Sequence, residues 1–249
     1  MRFIGSKVLL LKDIEKILPK NSNNKVFCDL FSGTACVARH FKSKYEIISN
    51  DLLYFSYVLQ NAYLKHNCQS HFPNLGFNPF EFFNNHIPHT NKIEKAFIFE
   101  NYSPNKRSNR MFFTNINALK IDHTRQSIEK WYQQKLINQD EYFYLIACLI
   151  EAVPFVSNIA GTYGAYLKTW DKRALKTLEI KPLKPHQTNI LEHSIFNKNA
   201  NDLIEEISGD ILYLDPPYNS CQYGANYHIL ETTITQPLTV KQALESMMI

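Results

Sequence analysis

Ile211-Leu212-Tyr213-Leu214-Asp215-Pro216-Pro217-Tyr218-Asn219 is an apolar run that ends in an acid, two prolines and an aromatic. Strands buried on both faces of a parallel sheet read as nearly continuous hydrophobic runs, so this one is expected to be a buried, central parallel strand. Neither proline can donate a backbone hydrogen bond, so the ladder must stop at Asp215. Asp215 and Tyr218 then belong to a stiff turn at the carboxyl end of a strand, where open α/β sheets bind their ligands.

A sheet of that kind needs partner strands, and the sequence supplies two. Lys25-Val26-Phe27-Cys28-Asp29-Leu30-Phe31-Ser32-Gly33-Thr34 reads as a strand over 26–30 followed by a turn of small residues, with a helix over 35–41. Tyr45-Glu46-Ile47-Ile48-Ser49-Asn50 reads as the next strand and runs into Asp51, eighteen residues after Gly33. An acid about 20 residues beyond the glycine turn is where nucleotide-binding βα units hold ribose hydroxyls. As a helix cap, Asp51 would also serve the helix over 53–65. Two strands with acids at their carboxyl ends indicate an adenosine-type ligand. The single glycine falls short of the G-x-G-x-x-G pattern that a diphosphate needs, and with the Pro-Pro turn it favours S-adenosylmethionine over a dinucleotide. Ahead of these strands, Phe3 offers a stacking face and Lys7 a cation. They precede a short helix patterned on Ile14, Ile17 and Leu18, with Ser6 as a candidate cap and Pro19 as its end.

The 249 residues suit one large domain or a domain with a sizeable insertion, and 45% hydrophobic content is ample for a core. A formal charge of +4 permits nucleic-acid binding without requiring it. Five cysteines, at 28, 36, 68, 148 and 221, form no C-x-x-C pair, which fits a reducing, cytoplasmic setting. His66, Cys68 and His71 lack a second pair of metal ligands at usable spacing, so no metal is expected. No apolar stretch is long enough for a membrane span or a signal peptide.

The positive charge is concentrated between residues 67 and 194. Residues 101–125 carry Lys106, Arg107, Arg110, Lys120 and Arg125 against Asp122 alone; residues 161–190 carry six Lys or Arg, among them Lys168, Lys172 and Arg173, against Asp171 and Glu179. Basic side chains interleaved with Asn and aromatics suit phosphate contacts and base-edge readout. Solvated surface charge is the plainer alternative. Gly161-Thr162-Tyr163-Gly164-Ala165-Tyr166-Leu167-Lys168 suits a loop facing nucleic acid. The stretch up to about residue 120 reads as irregular. One helix is expected from a cap at Ile121-Asp122 toward Leu136, and a second over 140–153 ends at Pro154. Asp202, thirteen residues before Asp215, is expected on a loop, either beside an adenine ring or as a helix cap. After Tyr218 a Tyr-rich loop leads to a short helix ending near Ile234, on which His228 packs.

Asp215-Pro216-Pro217-Tyr218 suits attack by an amino group conjugated to an aromatic ring. The carboxylate and a freed carbonyl hold its two N–H bonds, and the tyrosine stacks on the ring. Arg2-Phe3-Ile4-Gly5-Ser6-Lys7, Asp29-Leu30-Phe31-Ser32-Gly33, Asn50-Asp51 and Asp215-Pro216-Pro217-Tyr218, in this order, resemble the DNA adenine N6-methyltransferases, and specifically their alpha group, which includes the adenine methylases of restriction–modification systems. The resemblance implies a doubly wound, Rossmann-like α/β fold that binds S-adenosylmethionine. The catalytic domain would comprise residues 1–66 and 195–249, with 67–194 as an inserted, mostly helical and irregular target-recognition region. It implies cofactor contacts from Phe3, Lys7, Asp29, Phe31, Gly33, Asp51, Asp202 and Asp215, and a flipped adenine held by Asp215, Pro216, Pro217 and Tyr218. DNA contacts would come from Lys106, Arg107, Arg110, Lys168, Lys172 and Arg173. A monomer acting on double-stranded DNA, with a cognate restriction endonuclease for the same site, completes the expectation. Two features depart from the family pattern. Ala35 stands where many members have a second glycine, and only 31 residues follow Tyr218, which suggests a shortened carboxyl end. The alternatives are a DNA-binding remnant without turnover, or transfer to an RNA adenine or a protein amide.

Overall fold

The structure, a computed structural model, describes residues 6–19, 25–65, 72–86, 96–184, 191–217 and 223–235. The chain forms two compact units. One gathers residues 3–70 and 184–220; the other gathers 1–2, 71–183 and 221–249.

The first unit carries a four-stranded sheet: β1 (Val26–Asp29), β2 (Glu46–Asn50), β3 (Ser194–Phe196) and β4 (Ile211–Tyr213), in the order β3-β2-β1-β4. Every pairing is parallel, with Phe27 opposite both Ile47 and Ile211. This mixed α/β plan, with strands 3-2-1-4 side by side, is the Rossmann-like order, and its switch point lies between β1 and β4. Helices α1 (Leu11–Ile17), α2 (Cys36–Phe41), α3 (Tyr54–Leu64) and α8 (Ala200–Leu203) complete the unit. Phe27, Val37, Ala38, Phe41, Tyr45, Ile47 and Leu64 form its core, against which Leu11, Ile14 and Leu18 of the N-terminal segment pack. The rings of Phe27 and Phe41 stack with centroids 5.2 Å apart, joining β1 to α2.

Strand β4 departs from the buried, central strand read from its sequence. It pairs with β1 alone among the described residues, and Leu212 and Leu214 are 50% and 55% exposed. The continuous apolar run identified a parallel strand correctly but not its burial, because a run of this kind records strand propensity and not what covers it. Strand β3 was not legible: three residues among polar neighbours give no periodicity.

The second unit is helical: α4 (Pro79–Asn85), α5 (Phe97–Tyr102), α6 (Asn115–Gln133), α7 (Gln139–Ala152) with a 3-10 turn over Val153–Phe155, and α9 (Tyr223–Thr235). The stretch expected to be irregular thus contains α4 and α5. Helix α7 begins in a capping box, Asn138 with Glu141, and its hydrophobic run is buried almost throughout. Helix α6 starts seven residues earlier than Asp122, at a Thr114 cap whose hydroxyl accepts the Asn117 N–H. Asp122 lies inside α6 and caps a different helix: its carboxylate accepts the N–H groups of Ile98 and Phe99 at 3.0 and 2.9 Å, at the start of α5. Helix α9 packs on α6 and α7, within the unit that gathers residues 71–183. Among the described residues no helix is long and apolar enough to cross a membrane.

Candidate active site

Three acids stand at the carboxyl ends of adjacent strands: Asp51 just past β2, Asp29 at the end of β1, and Asp215 just past β4. The turn between β1 and α2 is drawn onto the end of β2. Ser32 N–H donates to the Asn50 carbonyl at 2.9 Å, and the Ser49 hydroxyl donates to that of Ser32 at 2.9 Å. The Asp51 carboxylate accepts Gly33 N–H at 2.8 Å and Leu53 N–H at 2.9 Å. Asp51 therefore braces the glycine turn and meets the Leu53 N–H just ahead of α3. Gly33 and Ala35 both take left-handed backbone, φ 53° and 59°. The position where a glycine is common thus holds an alanine in a conformation that costs an L-residue about 1–2 kcal/mol.

Asp29 is 1% exposed, and neither oxygen of its carboxylate completes a hydrogen bond. Burial pushes its pKa up to about 7; the neighbouring charges of Asp51 and Asp215 add to the rise, and the Ser32 hydroxyl and Phe31 amide oppose it. Burial also raises Asp51, to about 6, against the two N–H groups it accepts. Asp215 is half-buried and forms an ion pair with Lys7, Nζ to Oδ2 2.7 Å. The Ser6-Lys7 turn that supplies this lysine lies beside the Cys36 thiol at the start of α2. The set carries three carboxyl groups against the Lys7 cation, a field that favours a positively charged ligand.

Phe31 and Gly33 sit in the β1–α2 turn, half-buried. Asp202 lies in the first turn of α8 and is exposed; Asn199, not Asp202, caps that helix. The side chain closer to Asp51 is Asn197, whose Nδ2 donates to the carbonyls of Asp51 and Leu52 at 2.7 and 2.9 Å. Sequence reasoning passed over Asn197 and the buried Asn50, whose amide ties Leu30 to Lys198, since an asparagine in an Asn-rich chain carries no signal of its own. Pro216 and Pro217 are exposed and end the ladder as expected. Phe3 and Tyr218 lie outside the described residues, as do His66, Cys68, His71 and Cys221.

In the helical unit Lys106, Arg107, Arg110, Lys168 and Lys172 are all exposed. Arg107 pairs loosely with Glu100 at 3.4 Å, and Arg110 donates to the Asn101 carbonyl while its guanidinium lies over the Tyr102 ring. Arg173 differs from these: its Nη2 donates to the carbonyls of Ser157 and Ile159 at 3.2 and 3.1 Å, so its guanidinium is engaged by the backbone. Lys120 and Arg125, counted with the basic residues, are buried; Lys120 Nζ donates to the Leu178 carbonyl and Arg125 Nε to the Ile234 carbonyl.

The parallel sheet in this strand order thus carries acids at the ends of three neighbouring strands and Asp-Pro-Pro at the switch point. The chain belongs to the D12 class N6 adenine-specific DNA methyltransferases, whose family model matches residues 3–242. It is 48% identical over 241 residues to the type II methyltransferase M.FokI of Planomicrobium okeanokoites, covering 93% of this chain and 36% of that protein. It is 43% identical over 237 residues to the modification methylase StsI of Streptococcus sanguinis, again covering 36% of the relative. With the type II methyltransferase M.NlaIII of Neisseria lactamica it shares 40% over 246 residues, 68% of that protein. The chain thus spans little more than a third of the first two and about two thirds of the third. No solved structure matches it.

Proposed function

We propose that the chain is a site-specific DNA adenine N6-methyltransferase that uses S-adenosylmethionine and serves as the modification half of a restriction–modification system. The observation that carries this reading is Asp215-Pro216-Pro217 at the carboxyl end of β4, beside the buried Asp29 at the end of β1. Membership of an N6 adenine-specific family and likeness to named modification methylases support it.

The residues present fit the cofactor. A buried carboxylate whose nearby donors, the Ser32 hydroxyl and the Phe31 amide, fall short of full hydrogen bonds, in a set richer in acids than in cations, suits a ligand bearing a sulfonium and an ammonium group. Asp29, Asp51, Phe31 and Gly33 would hold it, joined by Phe3 and Lys7 from the N-terminal segment and by Asp202 or the nearby Asn197. When bound, it supplies an electrophilic methyl group. The chain's own residues do the rest. Asp215 and the Pro216 carbonyl, which no following N–H in the strand engages, accept the two hydrogens of the target amine, drawing electron density onto its nitrogen. Pro216 and Pro217 hold these acceptors in fixed directions, so orientation and electrostatics carry the catalysis. Tyr218 stacks on the extruded base, whose flipping costs a few kcal/mol. Lys7 neutralises Asp215 until substrate arrives. Residues 67–194 form the target-recognition region, with Lys106, Arg107, Arg110, Lys168 and Lys172 on phosphates. Arg173 supports the surface from within.

The test is transfer of methyl label from S-adenosylmethionine to mixed-sequence duplex DNA, with Asp215→Ala in parallel. Label in adenine that the substitution reduces by at least about a hundredfold supports the reading, in line with the loss of one preorganised polar group at a reacting centre. Undiminished transfer in Asp215→Ala overturns it.

A further inference from the structure

Five exposed basic residues of the helical unit lie on two loops far apart in sequence. Lys106, Arg107 and Arg110 belong to the loop between α5 and α6; Lys168 and Lys172 belong to the segment after the 3-10 turn. One fully buried residue lies between them, its backbone bonded to the first loop and its side chain to the second. Asn158 is 0% exposed and uses all of its polar groups. Its backbone N–H donates to the Phe112 carbonyl of the first loop at 2.8 Å, and its carbonyl accepts Leu167 N–H at 2.9 Å. Its Nδ2 donates to the Leu167 carbonyl at 2.9 Å, and its Oδ1 accepts Asp171 N–H at 2.9 Å. Lys168 and Lys172 each follow directly on a residue that Asn158 holds.

Further contacts run the same way. The Phe112 and Tyr166 rings meet edge to face at 5.1 Å, and Asp171 Oδ1 accepts the Arg173 N–H at 2.7 Å. The assembly is then fastened to α9. Tyr163 N–H donates to the Asn226 carbonyl at 3.0 Å, and the Tyr102 and Phe112 rings lie 5.6 and 6.1 Å from that of His228. Helix α9 begins at Tyr223, just beyond Pro217 along the chain.

We infer that Asn158 is a positioning residue for DNA: it holds the two basic loops of the helical unit together as a single phosphate-binding jaw. This rests on the reading of the chain as a DNA methyltransferase. The backbone and side chain of Asn158 are both engaged, which favours one geometry, and loss of its side-chain donor leaves the Leu167 carbonyl without that partner. Two phosphate-binding loops free to shift against each other would bind DNA but place it in several registers.

The test compares the full chain with Asn158→Asp and Asn158→Ala. It measures KM for duplex DNA, kcat at saturating DNA, the salt dependence of DNA affinity, and cofactor affinity by calorimetry. At pH 8 the Asp variant keeps the acceptor for Asp171 N–H but has no donor for Leu167. The expected result is a KM for DNA raised at least tenfold, a shallower salt dependence as phosphate contacts are lost, and unchanged cofactor affinity. Because a protonated carboxyl can donate, the KM of Asn158→Asp should fall back toward that of the unaltered protein between pH 8 and pH 6. Asn158→Ala should show no such recovery, and general damage to folding would not produce the difference. An Asp variant with KM within twofold of the unaltered protein, or one whose cofactor affinity falls as far as its DNA affinity, overturns the inference. Failure of the unaltered protein to methylate DNA would instead overturn the proposed function, and failure to bind DNA at all would overturn both.

Discussion

Asp29 is the residue on which the proposed cofactor site turns. Its proton is held more tightly in the folded chain than in the unfolded one, since burial lifts its pKa from 3.8 to about 7. The sign follows: folding takes up a proton between these values, so this group's contribution is full below pH 4 and is lost as pH rises toward 7. The melting temperature of the unaltered protein should therefore fall, relative to Asp29→Asn, between pH 5 and pH 7.5; scanning calorimetry of the pair checks it. A cationic ligand reverses the preference, because it needs the carboxylate ionised. Affinity for S-adenosylmethionine should rise as pH climbs through about 7, whereas the Asp29→Asn variant should bind more weakly and lose that rise, keeping only a smaller dependence near pH 6 from Asp51. Calorimetric titrations at pH 6, 7 and 8 would decide this, and a steep pH dependence in Asp29→Asn would refute it. Sequence showed the acid and its place in a motif, but not its isolation. Its burial depends on β4, which arrives from a distant part of the chain, as well as on the nearby β2.

At the scale of elements, caps and close passes explain where sequence patterning succeeds and fails. Helices α3 and α7 were legible because long apolar runs and, for α7, an Asn-x-x-Glu box mark them. Asp122 misled because an acid before an apolar run resembles a cap; it is one, but for α5, whose own first residue is preceded by Ala96 with no capping side chain. Asp122→Ala should cost about 1–3 kcal/mol by leaving two N–H groups unpaired inside the fold. Asp122→Asn, which keeps an acceptor, should cost distinctly less; urea unfolding of both variants separates the cases. Gly209 offers a second test. A Cβ there would lie 2.5 Å from the Cys28 Sγ, where the chain enters β4 beside β1. Gly209→Ala should destabilise by about 1–3 kcal/mol through overpacking, and Gly209→Ala combined with Cys28→Ala should recover part of that loss.

For the whole molecule, the two units differ in what the sequence could disclose. The order of motifs defined the sheet unit, while the jaw of the helical unit rests on hydrogen bonds to backbone carbonyls, which no pattern of residue types records. Asn158 looks like any loop asparagine until its four hydrogen bonds, to three residues, are in place. The whole-molecule consequence of β4 is physical. With Leu212 and Leu214 exposed and one ladder edge unpaired among the described residues, the chain presents a template for association. Leu212→Lys should reduce light scattering on heating, with cofactor affinity unchanged; unaltered scattering would show that association runs through another surface.

The pairing of β1 with β4 also sets a timetable. Val26 N–H donates to Asp210 Oδ2 across 184 positions of the chain, and the parallel register of β1 and β4 spans the same gap. A ribosome releases the amino-terminal strand long before its neighbour exists, so β1 and β2 must wait, apolar and half-assembled, while the helical segment is made. The α6–α7 hairpin needs only local contacts and is free to form meanwhile. Birth order and spatial order thus run opposite ways in this protein: the strands that emerge first are among the last to find their full set of neighbours, and the nascent sheet depends on chaperones or on speed for its safety.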